Sequence, residues 1–166
     1  MFKLGIIGAG WIADKMAASL AHAEDYCIHA IASRSFEKAE AFAQKWGISK
    51  AYGSYEDLVK DENIDLVYVA TPHSHHYDHA LLAIRNNKPV LVQKAFTANA
   101  QEAELLINEA RSRNVFIAEA IWTRYMPLSK KVNEIMDNGI IGIPRILTAT
   151  LCYSMEQKKR IVVPEL

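Results

Sequence analysis

Four short stretches of the sequence carry residue types that could do chemistry. The first, Gly8-Ala9-Gly10-Trp11-Ile12-Ala13, follows an apolar run from Phe2 to Ile7 and opens a stretch of helical spacing. Gly8 permits a tight turn, Gly10 lets the backbone approach a ligand closely, and Ala13 keeps the helix near its strand. The first helical amides, those of Trp11 and Ile12, would then face a pyrophosphate, so the segment is a candidate dinucleotide-binding turn. A glycine turn with no ligand is the plain alternative. A methyltransferase with a related turn is the sharper one.

The second stretch, Ser33-Arg34-Ser35, closes the next apolar run. A carboxylate at that place would hydrogen-bond the ribose hydroxyls of NAD. Here a hydroxyl and a guanidinium stand instead, which suit a ribose 2′-phosphate and remove the acid that would repel it. NADP is therefore expected in preference to NAD, with NAD possible, against the alternative that Arg34 is only a solvated loop charge.

The third is Thr71-Pro72-His73-Ser74-His75-His76-Tyr77-Asp78-His79, which holds four histidines. His75 and His79 have helical i, i+4 spacing, but there is no His-Glu-x-x-His pattern and no convincing third ligand, so no metal is expected. The favoured reading is a turn whose Thr71 and Pro72 pass close to the cofactor, with His76 opening a helix. The fourth is Lys94, just after the apolar run Val90 to Val92. A lysine there could hold a substrate hydroxyl or carbonyl oxygen and, if partly desolvated, act as a general acid or base. An ordinary exposed lysine is the alternative.

All four sites fall at the ends of short β-branched or apolar runs, and each run is followed by a longer amphipathic segment. That alternation predicts an α/β fold, a doubly wound parallel-sheet Rossmann domain with crossover helices. Strands are expected at Phe2 to Ile7, Tyr26 to Ala32, Lys50 to Tyr52, Ile64 to Ala70, Val90 to Val92 and Val115 to Ala118. Helices are expected at about Trp11 to His22, Phe36 to Trp46, Tyr55 to Lys60, His75 to Asn86, Ala100 to Arg113 and Pro127 to Asn138. Gly47 and Gly139 supply helix stops, and Asn87-Lys88-Pro89 forces an extended entry into the next strand. After Gly142 the pattern changes to one long β-type run, Ile143 to Met155, read as the first strand of a second α/β domain. The expected division is residues 1–141 for the dinucleotide-binding domain and 142–166 for the start of an incomplete second one.

The chain has 166 residues, 51% hydrophobic and 23% charged, with nineteen basic residues against nineteen acidic ones. The balance supplies no positive field for nucleic acid or an anionic membrane surface, and no run reaches the roughly 20 apolar residues of a membrane span. Cys27 and Cys152 each lie inside an apolar run and far apart in sequence, which reads as buried thiols rather than a redox motif and as a reducing, cytoplasmic setting. The apolar start has no basic leader and no cleavage site, so it reads as a strand rather than a signal peptide.

These residues together resemble the Gfo/Idh/MocA family, that of glucose-fructose oxidoreductase and inositol dehydrogenase, and within it the dihydrodiol-dehydrogenase-like branch. The resemblance spans the chain. It rests on the glycine turn, Ser33-Arg34-Ser35, Thr71-Pro72 with His76, the segment Lys88 to Thr97, and above all Ala118-Glu119-Ala120-Ile121-Trp122-Thr123-Arg124-Tyr125-Met126-Pro127. It implies NAD(P) as hydride carrier and a diol, sugar or cyclitol as substrate. It also implies that Lys94 is the lysine of the family's catalytic Glu-Lys-Pro motif, and that Gly8, Gly10, Trp11, Ile12, Ser33, Arg34, Thr71, Pro72, His76, Lys94, Trp122 and Arg124 lie along the cofactor.

Two departures stand out within the motif. Gln93 replaces the acid, which would support the lysine's charge less well, and Ala95 replaces the proline whose geometry would help aim it. The resemblance further implies a second domain continuing well beyond Leu166 and completing the active site. The chain alone is therefore expected to be inactive, as a fragment, an interrupted reading frame, or a partner for a separately encoded C-terminal half. Self-association into a homo-oligomer through the C-terminal run is also expected. A non-catalytic dinucleotide-binding module is the competing reading.

Overall fold

In the computed structural model, which describes residues 1–152, strands and helices alternate as the sequence predicts. The order is β1 (Phe2–Ile7), α1 (Trp11–Leu20), β2 (Tyr26–Ala32), α2 (Phe36–Trp46), β3 (Lys50–Tyr52), α3 (Tyr55–Lys60), β4 (Leu66–Val69), α4 (His76–Arg85), β5 (Val90–Gln93), α5 (Ala100–Ser112), β6 (Ile117–Ala120) and α6 (Pro127–Asp137). Short 3-10 turns at His73–His75 and Trp122–Tyr125 precede α4 and α6. The chain divides into two compact units, Met1–Trp122 and Thr123–Leu166. Of the elements, α6 lies in the second unit.

The first unit is a parallel sheet of order β3-β2-β1-β4-β5-β6. The chain leaves β1 in one direction along the sheet and then in the other, so its order reverses beside β1. Ligands of such sheets gather at the carboxyl ends of the strands flanking that reversal. Strand alternation separates two cores, as a sheet covered on both faces requires. Ile7, Ala32, Val67, Val69, Val90 and Val92 pack with residues of α3, α4 and α5, whereas Ile6, Ile31 and Tyr68 pack with residues of α1 and α2.

Local chemistry sets the helix ends. Side chains of Ser35, Ser54 and Asn99 each accept a hydrogen bond from an amide in the first turn of α2, α3 and α5. Gly47 closes α2 in the left-handed region at φ 66°, where a side chain would be strained. β6 begins two residues later than expected because Asn114 takes a positive φ and the Val115 amide donates to Ala110 O, so both belong to the turn leaving α5. The strand expected over 143–155 does not form in its described part: residues 143–152 belong to no strand. A strand is held by hydrogen bonds to a neighbour, and no strand is paired with this segment among the described residues. Residues 153–155 lie outside the described ones.

The amino-end edge of the sheet is tied by one carboxylate. Asp61, which follows α3, is buried and accepts hydrogen bonds from Lys50 Nζ at 2.8 Å, Tyr52 OH at 2.9 Å, and the backbone and side-chain nitrogens of Asn63. His29 Nε2 lies 3.2 Å from it, near enough to pair by charge but not aligned for a hydrogen bond. Lys88 reaches in from the start of β5 and donates to the Asp61 and Ile64 carbonyls. Burial alone would push the Asp61 carboxyl up, but the donors from Lys50, Asn63 and Tyr52 outweigh it and hold it well below the usual carboxylate range.

A carboxyl with a lowered pKa stabilises the fold above its unfolded value and loses that contribution as pH falls toward the folded value. Thermal melts from about pH 7 to about pH 3 should therefore show stability falling below the unfolded aspartate value of ~3.9. Asp61→Asn should lower the melting temperature by several degrees at neutral pH and flatten that acid limb. An unchanged melting profile in the Asp61→Asn chain would overturn this role.

Candidate active site

The glycine turn sits in the crevice at the sheet reversal. The Gly8 amide donates to Ala32 O at the end of β2, and the Ala70 amide donates to Ile7 O, which brings the end of β4 alongside. Gly8 has φ 101°, and a Cβ there would lie 3.0 Å from both Ala70 O and Thr71 Cγ2, so conformation and crowding each require glycine.

Gly10 is glycine for a different reason. It caps α1 in ordinary extended backbone, φ −103°, ψ −175°, and a Cβ there would meet nothing of the protein within 4 Å. Neither its backbone nor its neighbours in the protein demand a missing side chain, so what the glycine preserves is open space beside the amides of Trp11 and Ile12. Having no side chain, it also leaves those first-turn amides uncapped. This opening fits a dinucleotide phosphate. A cleft of about 400 Å³ adjoins it, lined by Ala9, Gly10, Trp11, Asp14, Lys38, Ala41, Phe42 and Lys45.

Around this turn the expected residues divide into those held inward and those left open. Ser33 is buried, its amide donating to Tyr52 O and its hydroxyl accepting from the Ser35 amide. Arg34 next to it is exposed and makes no hydrogen bond or ion pair among the described residues. Thr71 is buried and fully engaged: its hydroxyl pairs with His79 Nδ1 at 2.9 Å and its carbonyl faces His76 Nε2 at 2.8 Å. Burial, helped by the neighbouring His75, holds the His79 imidazole below its ordinary value. Pro72 is exposed.

His76 is fully buried, with Nδ1 2.6 Å from Ala95 O and Nε2 on Thr71 O, so its ring nitrogens serve the protein rather than a ligand. The histidine-rich turn gathers no group of three metal-binding side chains among the described residues. Trp122 ends the first unit, 59% exposed, and Arg124 lies in the second unit, also exposed.

Lys94 follows β5 at the same carboxyl edge, exposed and without a hydrogen-bond or ion-pair partner among the described residues. The Lys94–Ala95 peptide bond is cis, although alanine follows where the resemblance implies proline. Gln93, expected to bear on the lysine's charge, instead turns its side chain into the core. There its Oε1 accepts from Tyr68 OH at 2.8 Å, and burial pushes the Tyr68 phenol up to about 12. One partner of this segment was not foreseen: Glu119 Oε1 on β6 accepts from the Phe96 amide at 2.8 Å. An acid ending a strand at this edge was the available signal.

Residues 2–120 match the family described as oxidoreductase family, NAD-binding Rossmann fold, Gfo/Idh/MocA. The chain belongs to that family. It is 38% identical over 160 residues to trans-1,2-dihydrobenzene-1,2-diol dehydrogenase of Mus musculus, covering 95% of this chain and 48% of that protein. It is 44% identical over 152 residues to D-xylose 1-dehydrogenase (NADP(+)) of Hypocrea jecorina, covering 84% of this chain and 39% of that protein. A solved 3-ketoreductase from Actinomadura kijaniata in complex with NADP superposes with a TM-score of 0.78 at 30% identity, covering 85% of this chain and 45% of that one. The chain thus spans about half the length of the Gfo/Idh/MocA relatives it matches.

The two glycines should respond oppositely to the same substitution. Gly10→Ala should melt like the unaltered chain but bind dinucleotide ~10-fold or more weakly, the loss of about one charge-assisted contact. Gly8→Ala should lower the melting temperature, since its Cβ has no room. A Gly10→Ala chain binding at full strength would show that the opening is not the phosphate site.

Proposed function

We propose that this chain is the cofactor-binding part of an NADP(H)-dependent oxidoreductase that moves hydride between the nicotinamide and a diol, sugar or cyclitol hydroxyl or carbonyl. The observation that carries the reading is the pairing of an open glycine turn with an unpartnered lysine at one edge of the sheet. The bound nicotinamide would supply or accept the hydride. Gly8 and Gly10, with the Trp11 and Ile12 amides, bind the pyrophosphate, and Ser33 and Arg34 meet the ribose 2′-phosphate. Thr71 and Pro72 line the crevice from the end of β4. Lys94 hydrogen-bonds the substrate oxygen, taking its proton as the neutral amine when a hydroxyl is oxidised and returning it as the ammonium in reduction. Trp122 of the first unit and Arg124 of the second are further cofactor residues in this reading.

The substrate classes follow from the names of the relatives, a dihydrodiol dehydrogenase and a xylose dehydrogenase. The NADP preference is supported by the unpaired Arg34 and by the NADP named for the xylose enzyme and for the ketoreductase complex. The domain boundary near 141/142, a homo-oligomer or a separately made C-terminal half, and a reducing, cytoplasmic setting belong to the same proposal. Cys27 and Cys152 form no disulfide, in keeping with that setting, but neither is buried as expected: Cys27 is half-buried and Cys152, in a segment that joins no strand, is exposed. Apolar side chains of the second unit, among them Ile143, Ile146, Leu147 and Leu151, are exposed and support association.

Binding of dinucleotide without turnover is the competing reading. Fluorescence titration should give tighter binding of NADPH than of NADH, and Arg34→Ala should cut that preference by ~10-fold or more. Equal affinity of the unaltered chain for both cofactors would sink the assignment. Light scattering should show association that deletion of residues 142–166 abolishes, whereas a monomeric full chain would refute it. NADP-linked oxidation of a diol and sugar panel should require a second half. Robust turnover by this chain alone would show that Lys94 and its neighbours suffice.

A further inference from the structure

The segment that carries Lys94 is gripped from two sides by side chains of other elements. Immediately after the lysine come the Ala95 carbonyl, 2.6 Å from His76 Nδ1, and the Phe96 amide, which donates to Glu119 Oε1 at 2.8 Å. His76 is fully buried at the first turn of α4 and is itself anchored by Nε2 on the Thr71 carbonyl. A carbonyl oxygen only accepts, so the ring grips this segment in the tautomer that carries its proton on Nδ1. Glu119 stands half-buried on β6, whose register with β5 is fixed by the pairs Val92 with Glu119 and Gln93 with Ala120. The two grips thus come from opposite neighbours, a helix that begins beyond β4 and the edge strand β6. The side chain of Phe96 packs against the buried cluster shared by β4, β5 and α4, which adds a third restraint.

We propose that His76 and Glu119 are positioning residues for Lys94. By holding the carbonyl of residue 95 and the amide of residue 96, they fix the point from which an otherwise unrestrained lysine side chain is presented to substrate. The inference rests on the reading of Lys94 as the group that meets the substrate oxygen. A long, exposed lysine samples many rotamers, and its usefulness depends on the backbone it hangs from being confined to a fraction of an ångström. Glu119 does this as an acceptor, so its charge is not what the Phe96 amide requires.

The acceptor role gives the test. In the full 166-residue chain labelled with ¹⁵N, Glu119→Ala should speed hydrogen exchange at the Phe96 amide by ~10-fold or more, as loss of one hydrogen bond to a charged acceptor implies. It should also lower the relaxation order parameters of the amides of residues 94 and 96. Glu119→Gln keeps an oxygen in place and should restore both readouts to within about threefold of the unaltered chain. His76→Phe keeps a ring and removes the imidazole nitrogens, and should loosen the same amides; if it does not fold, His76→Gln, with one donor group, decides the histidine's part.

Unchanged exchange at Phe96 in Glu119→Ala would overturn the proposal. So would equal loosening in the Ala and Gln variants, since charge rather than acceptance would then matter, or loosening spread evenly over the whole sheet. NADPH titration of the same samples keeps the two ideas apart. Failure of the unaltered chain to bind strikes at the proposed function, while the exchange data still judge the grip on residues 95 and 96.

Discussion

A Cβ at residue 8 would lie 3.0 Å from the Ala70 carbonyl oxygen, and this close passage of the end of β1 past the end of β4 sets much of what surrounds the site. The approach is held from both sides, by the Gly8 amide on Ala32 and the Ala70 amide on Ile7. It aims the start of α1 into the crevice rather than across the sheet face. It also brings Thr71 to the crevice wall, where the hydroxyl and carbonyl are taken up by His79 and His76. Through His76 the same arrangement reaches Ala95, and so the backbone next to Lys94. A parallel sheet is well suited to this kind of relay, because each strand ends at the same edge and each following loop begins within hydrogen-bonding distance of its neighbour.

The elements were legible because period and punctuation agreed. Runs such as Val90 to Val92 are too short and too β-branched for helix. The stretch Phe36 to Trp46 places Ala39, Phe42 and Ala43 on one face, and all three are buried. Boundaries slipped where turn residues belonged to a loop rather than a strand, as at Asn114 and Val115. The segment after Gly142 shows the limit of local pattern. Its apolar, β-branched composition favours a strand, but pairing is a property of two segments, and a sequence read alone cannot supply the second.

At the site, the residues whose role comes from backbone shape were the easiest to find. Gly8 is required by φ and crowding, and Gly10 by the opening it leaves. Residues whose role comes from long-range contact were harder. Gln93 looked like a tuner of Lys94 because the two are adjacent in sequence, yet adjacent residues of a strand point to opposite faces, and Gln93 spends its oxygen on Tyr68 in the core. His76 looked like a cofactor contact because it stands in a turn at the right edge, but the first turn of α4 folds it inward. Glu119 was noticed as part of a motif and not as a ligand of Phe96, since the pairing of β5 with β6 is what brings them together.

The division of charge between the two edges of the sheet follows from the same topology. At the amino-end edge, loops enter strands and their polar groups are consumed locally: Asp61 alone engages Lys50, Tyr52 and Asn63, and its carbonyl receives Lys88. Burying a carboxylate is unfavourable unless donors surround it, and Asp61 has them from Lys50, Tyr52 and Asn63. At the carboxyl-end edge the cations Arg34 and Lys94 stand without partners among the described residues, beside uncapped amides at the start of α1. A chain with equal numbers of acidic and basic residues thereby presents one self-neutralised edge and one edge with unpaired positive charge. That charge suits the anionic dinucleotide of the proposed function, while Asp61 and its donors tie the opposite edge together.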